Sequence, residues 1–245
     1  MRICYLSNSS MPSSVASSIQ TIKMCEAFST LNNKVFLITT NTSKAKENIF
    51  KYYDVKSKFL FKKIVFFKKF PLGINYYLFS IFSIIESFKY KPQLYITRNF
   101  FTCFLLLLLR KKIVLELHHD LNTESRIVRL LVNNFRFLNS KFVKKIIAIT
   151  QGVKNEYVKK YLVDPTKIKV LPSGSSIKKN FNFHINKKFF KIGYFGSLYK
   201  SRGFDLICNL AKIDKKNKYY LYGDTRKLSL YRVKGLFKNL YLHNH

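Results

Sequence analysis

Between Lys191 and Leu210 the chain reads KIGYFGSLYKSRGFDLICNL: a short apolar run, a glycine, a small basic loop, and then apolar residues at helical spacing. Ile192 and Tyr194 fit a buried parallel strand, and Phe204, Ile207, Cys208 and Ala211 recur at the spacing of a core-facing helix stripe. Strand, phosphate-sized loop and helix in that order specify one unit of a parallel α/β sheet. Gly196 ends the strand and lets backbone approach a ligand, while Lys200 and Arg202 add charge to the positive end of a helix that Gly203 opens. With the backbone N–H of Ser197, these residues make a cradle for a diphosphate; the same pattern also serves as a plain connection.

The rest of the chain repeats the alternation. Arg2–Leu6 and Lys34–Thr39 are strand-like, and the helix pattern Ile19, Ile22, Met24, Ala27, Phe28, Leu31 lies between them. The small-residue loop from Ser7 to Ser17 offers Ser9, Ser10 and Ser17 as hydroxyl donors for sugar or phosphate; the alternative is a surface loop with Ser18 capping the helix. No period is clear after Asn41 until Ile74–Tyr90, where Leu78, Ile81, Phe82, Ile85 and Phe88 form a helix stripe that Pro92 stops. Strand-like Leu94–Thr97, helix-like Asn99–Leu109 and strand-like Ile113–Leu117 follow, then His118, His119 and Asp120. In an open α/β sheet, ligand groups gather at the carboxyl ends of strands, so a histidine emerging there is well placed for chemistry. Alternatively the pair simply caps the sheet and Asp120 starts the next helix. Further along come a helix at Thr123–Leu138, a strand at Lys145–Thr150, a helix at Val153–Tyr161 and a strand at Ile168–Leu171.

Composition bounds the function classes. The chain has 245 residues, of which 47% are hydrophobic and 16% aromatic, so it is globular, not disordered. Its net charge of +33 predicts attraction to anions. Abundant Lys, Asn, Ile, Phe and Tyr also fit an A+T-rich coding sequence, which would make the charge compositional. The cluster KSKFLFKKIVFFKK at Lys56–Lys69 points to an anionic membrane surface, where each cation contributes about 1 kcal/mol. The apolar run Phe100–Leu109 is about half the ~20 residues that a bilayer span needs, and the amino terminus turns polar at Ser7, too early for a signal peptide. Cys4, Cys25, Cys103 and Cys208 show no paired spacing, so no metal or redox site is expected and a cytoplasmic location is. Dispersed lysines without a recognition motif argue against a specific nucleic-acid partner.

Three segments carry a family resemblance. Gly196-Ser197 with Arg202-Gly203 resembles the strand end and helix start of the second domain of family 4 glycosyltransferases of the GT-B fold. Ser17–Phe28 resembles their first helix, and Val170-Leu171-Pro172-Ser173-Gly174 the turn that closes their first domain, although Gly174-Ser175-Ser176 lacks the usual acid. The resemblance implies an α/β, GT-B type fold of two Rossmann-like domains with parallel sheets, the second incomplete: an acceptor-side domain at 1–176, a linker at 177–190 and a partial nucleotide-sugar domain at 191–245. It implies transfer of a sugar, with retention, from a UDP- or GDP-sugar to a cell-envelope glycan or lipid-linked acceptor, without cofactor or metal. Through the match Glu116-Leu117-His118 it assigns His118 to the sugar, with His119 as rival. Gly196, Ser197, Lys200, Arg202 and Gly203 would hold the diphosphate, and the strand end at Thr150-Gln151-Gly152 would line the cleft.

After the linker the pattern gives strand 191–195, helix 203–212, strand Tyr219–Tyr222, a short helix near Ser229–Lys234 and strand Leu240–Leu242. The family's paired glutamates that grip the donor ribose lie beyond that point, so a fragment or truncated relative with impaired turnover is expected. The reading from another class is a non-catalytic basic binding protein that uses the first domain.

Overall fold

The computed structural model describes residues 1–41, 48–65, 72–174, 188–196, 198, 203–223 and 238–244. The chain divides into two compact units, Met1–Ser175 and Ser176–His245.

The first unit is a doubly wound α/β sheet. Its strands are β1 (Arg2–Ser10), β2 (Lys34–Asn41), β3 (Leu60–Val65), β4 (Leu94–Thr97), β5 (Ile113–Leu117), β6 (Val143–Ala148) and β7 (Ile168–Val170). The helices are α1 (Ala16–Thr30), α2 (Ile49–Tyr52), α3 (Leu72–Ser87), α4 (Phe100–Leu108), α5 (Arg126–Phe135) and α6 (Gln151–Tyr161). The strand order is β3-β2-β1-β4-β5-β6-β7 with every pairing parallel. Side chains alternate along each strand, so β1 sends Cys4 and Leu6 into one core and Ile3 and Tyr5 into another. Cys103 of α4 fills the first core and Cys25 of α1 the second, so both faces of the sheet are covered. Cys4, Cys25 and Cys103 are free thiols, and burial pushes Cys103 up to about 12.

Two expectations need correction, and a third gains an orientation. β1 runs on to Ser10, with its register against β2 shifting between Ser7 and Ser10, so part of the expected serine loop is strand. The basic-aromatic run after Lys56 contains β3, which among the described residues pairs with β2 at the sheet edge, where lysines such as Lys62 discourage pairing with another chain. Its continuation, 66–71, lies outside the described residues. The apolar stripe of α3 does form a helix, but it faces outward. Ser80, Ser83 and Ser87 are buried on the inner side, whereas Ile81, Phe82, Ile85 and Phe88 are exposed. Among the described residues no helix is long and apolar enough to cross a membrane.

The second unit holds β8 (Lys191–Phe195), α7 (Phe204–Ile213), β9 (Lys218–Gly223) and β10 (Leu240–Asn244), with the parallel order β10-β9-β8. Phe204, Ile207 and Cys208 of α7 pack with Leu198 and Leu221, the core-facing stripe read from their spacing. The opposite arrangement of rings is a stack in which Phe195 lies 4.7 Å from Tyr222 and Tyr222 lies 4.6 Å from His243. The helix expected near Ser229–Lys234 lies outside the described residues.

Gly223 and Gly196 meet across β9 and β8. Gly196 donates its N–H to the Tyr222 carbonyl at 3.0 Å, and a Cβ on Gly223 would stand 2.0 Å from the Gly196 carbonyl oxygen. Backbone cannot yield that distance, so position 223 requires glycine.

Candidate functional site

Strands β1 and β4 are neighbours whose following helices depart in opposite directions along the sheet, the topological switch point at which α/β folds open a crevice. A cleft of about 460 Å³ lies there, lined among others by Ser9 and Ser17 from the β1–α1 connection, Arg98 and Asn99 after β4, and Glu116, His118 and His119 at β5. Its lining residues among those described belong to the first unit.

Glu116 organises this cleft. It is 5% exposed, and its Oε2 accepts from Arg98 Nε at 3.0 Å and pairs with His118 Nε2 at 3.2 Å. Burial pushes the carboxyl up, but the hydrogen bond to His118 and the charge and hydrogen bond of Arg98 outweigh it, so the group sits below its ordinary value. An ionised carboxylate can only accept, so His118 Nε2 carries the proton of this contact and, in the neutral ring, Nδ1 is the acceptor.

His119 has a separate partner. Its Nε2 lies 2.8 Å from Glu124 Oε1, and that hydrogen bond raises its pKa against partial burial. β5 stops at Leu117, so strand alternation does not sort the two imidazoles, and both line the cleft. His118 is the more enclosed, at 19% side-chain exposure against 48%. Asp120 starts the next turn, accepting from the Asn122 N–H at 3.1 Å and the Tyr161 hydroxyl at 2.9 Å. Those bonds hold it at about 2 although burial opposes ionisation.

Of the three loop serines, Ser9 and Ser17 line the cleft, joined Oγ to Oγ at 3.4 Å, while Ser10 is not among its lining residues. Ser18 does not cap α1; its hydroxyl donates to the Ser10 carbonyl at 2.9 Å and ties the helix to β1. The α1 N-cap, Val15, supplies no side-chain bond. Thr150 caps α6, accepting from the Val153 N–H at 3.2 Å, and Thr150, Gln151 and Gly152 are not among the residues that line this cleft. In the second unit, Gly196 ends β8 and Gly203 precedes α7 with φ +81°, a left-handed value that favours glycine. Ser197, Lys200 and Arg202 lie outside the described residues.

The residues missed from sequence are Tyr76, Arg98, Asn99 and Glu124. Asn99 Oδ1 caps α4 by accepting from the Thr102 N–H at 2.9 Å. Asn99 Nδ2, Arg98 Nη2 and Tyr76 Oη are buried with no hydrogen-bond partner among the described residues, and all three residues line the cleft. Buried donors left unpaired cost ~1–3 kcal/mol each, which a ligand's oxygens would recover. Thr97-Arg98-Asn99 could have been nominated from its place at the end of a strand beside β1.

Comparison with known proteins fits this architecture. A crystal structure of a glycosyltransferase from Rickettsia africae ESF-5 superposes with a TM-score of 0.65 at 16% identity, covering 100% of this chain and 68% of that one. The Anabaena protein HepE, solved with UDP-glucose, gives 0.64 at 16% identity, covering 100% and 69%. Sucrose-phosphate synthase from Thermosynechococcus elongatus gives 0.72 at 13% identity, covering 100% and 70%. A search of curated proteins found no match. Residues 18–178 match the family profile of Glycosyltransferase Family 4, a span that includes every cleft residue from Gln20 to Ser173. The chain therefore belongs to Glycosyltransferase Family 4, with the α/β architecture of the GT-B enzymes.

Proposed function

We propose that the chain transfers a sugar, with retention of configuration, from a UDP- or GDP-sugar to a hydroxyl of a cell-envelope glycan or lipid-linked acceptor on the cytoplasmic side of a membrane. The observation that carries this reading is the Arg98–Glu116–His118 chain at the switch point, which fixes one imidazole in a cleft whose remaining donors await oxygen atoms. In this reading His118 contacts the transferred sugar, Glu116 and Arg98 orient it, and Asn99 and Tyr76 bind hydroxyls. Ser9 and Ser17 belong to the acceptor-side loop. The family membership of the chain and the UDP-glucose held by its Anabaena structural relative support the choice of donor.

The diphosphate leaving group needs neutralising charge, which the reading assigns to the backbone at Gly196 and Ser197 and to Lys200 and Arg202, ahead of Gly203. Arg202→Ala should weaken UDP binding by ~1.5–3 kcal/mol, the scale of a charge-assisted hydrogen bond, with the melting temperature unchanged. Calorimetric titration of UDP into both proteins measures this, and equal affinities would return the loop to a plain connection. The overall reading is tested by titrating a panel of nucleotide sugars and assaying radiolabelled transfer to membrane extracts. Absence of binding by every nucleotide sugar would overturn it.

A second, smaller effect is expected at Asn99. Asn99→Asp keeps the oxygen that caps α4 but removes the unpaired Nδ2 donor. Sugar binding should weaken by about 1 kcal/mol or more while helix content by circular dichroism is retained. Unaltered sugar affinity would remove Asn99 from the binding surface.

A further inference from the structure

We propose that the outward face of α3 is a membrane-docking surface that lies on an anionic lipid bilayer, an inference that rests on the reading of the cleft as serving a membrane-borne acceptor. The face is built in reverse of an ordinary surface helix. Its inner side carries Ser80, Ser83 and Ser87, all 0% exposed. Each hydroxyl donates to a carbonyl of its own helix, of Tyr76, Ser80 and Ile84 respectively, and Ser80 also accepts from Thr102 Oγ1 at 2.9 Å while Ser87 meets Tyr95 Oη at 3.1 Å. Small side chains with their hydroxyls paired need no water, so this side can turn inward beside Phe79 and Ile84.

The large apolar residues are consequently outside. Ile74, Ile81, Phe82, Ile85 and Phe88 are 42–57% exposed and recur at helical spacing, so they form one stripe along about four turns. Exposed hydrophobics scattered singly need no explanation, but a continuous stripe marks an interaction surface.

The charges beside it select the occupant. Lys89 and Lys91 follow at the far end of the stripe, and Lys111 stands over the Phe88 ring with Nζ 5.5 Å from its centroid. The acid of the helix, Glu86, is paired with Lys89 at 2.9 Å. A second copy would bring the same cations to the same face on a chain of net charge +33, whereas anionic headgroups complement them. An apolar stripe with basic residues at its border is the form of an interfacial helix, which seats its apolar face about 5–10 Å into the headgroup region. The near end of α3 carries Tyr76, which packs against the core on the opposite side of the helix and lines the cleft, so one helix serves both the docking face and the cleft.

The chain has no tryptophan, so Phe82→Trp introduces a single reporter on the stripe. With the full chain, its emission should shift to the blue on adding phosphatidylcholine vesicles that contain phosphatidylglycerol. Vesicle sedimentation of Ile81→Ser/Phe82→Ser/Ile85→Ser should show partitioning reduced about tenfold or more, with an unchanged melting temperature, because these side chains are outside the core. An unshifted emission, or a triple variant that sediments like the parent, would overturn the proposal. So would a parent dimer that the triple variant converts to monomer, since the stripe would then cover a second copy. Titration of UDP-sugars into the parent chain separates this from the enzymatic reading: a parent that binds UDP-sugars but not the vesicles refutes the docking face alone, and a parent that binds the vesicles but no UDP-sugar refutes the transferase reading alone.

Discussion

Replacing His118 with alanine should lower kcat by about 10²-fold or more while leaving nucleotide affinity nearly intact, because the lost contact belongs to the reacting sugar and not to the diphosphate. The expectation comes from its setting: an enclosed imidazole at the end of β5, its Nε2 fixed on the buried carboxylate of Glu116 at 3.2 Å. His119→Ala should be mild by comparison, since that ring is half exposed and its 2.8 Å partner is Glu124. Steady-state kinetics of the two variants, with nucleotide affinity measured separately, decides between them. A larger loss of kcat in His119→Ala would pass the catalytic role to that residue.

The second large effect concerns stability. Arg98→Met removes the cation that compensates Glu116, and breaking a buried pair from one side costs ~3–5 kcal/mol because a charge is left behind. Thermal unfolding should show the loss. Its pH dependence should also weaken. In the parent the Glu116 carboxyl is depressed, so its contribution is present above the unfolded value of about 4.3 and fades as pH falls through the lower folded value. In Arg98→Met the offset that Arg98 supplies is gone while the hydrogen bond from His118 remains, so the folded value rises toward the unfolded one and the stability that the parent loses on acidification should shrink. A variant that melts like the parent at neutral pH would show that Arg98 is not the compensating charge.

Much of the fold was legible because its strands are short apolar runs bounded by glycine, proline or charge. β8 was read at its observed limits, and Asp120 as a helix-starting residue is what its bonds to Asn122 make it. What escaped did so for physical reasons. β3 is an edge strand whose lysines interrupt the apolar period, so KSKFLFKKIVFFKK reads as a charged cluster before it reads as a strand. The period of α3 gave the helix but not its orientation, because serines that bond within their own helix can face a core as readily as solvent. Arg98 and Glu116 are 18 residues apart, and only the parallel pairing of β4 with β5 brings them together. The acid in Glu116-Leu117-His118 was visible as a motif member, and its structural duty toward Arg98 was not. Nor was the shared access of His118 and His119 to the cleft, which depends on β5 ending one residue before them.

Gly223 has a reach beyond its own strand. It has no side chain with which to meet a ligand, yet the room it leaves is occupied by the carbonyl oxygen of Gly196, where the chain quits β8. Any larger residue at 223 must displace that oxygen and the departure point of the segment that follows. In a mutational scan, position 223 should therefore behave as though it bound the donor, intolerant even of alanine. Trimming the exposed ring of Phe195 beside it should be tolerated more readily than adding one methyl group there.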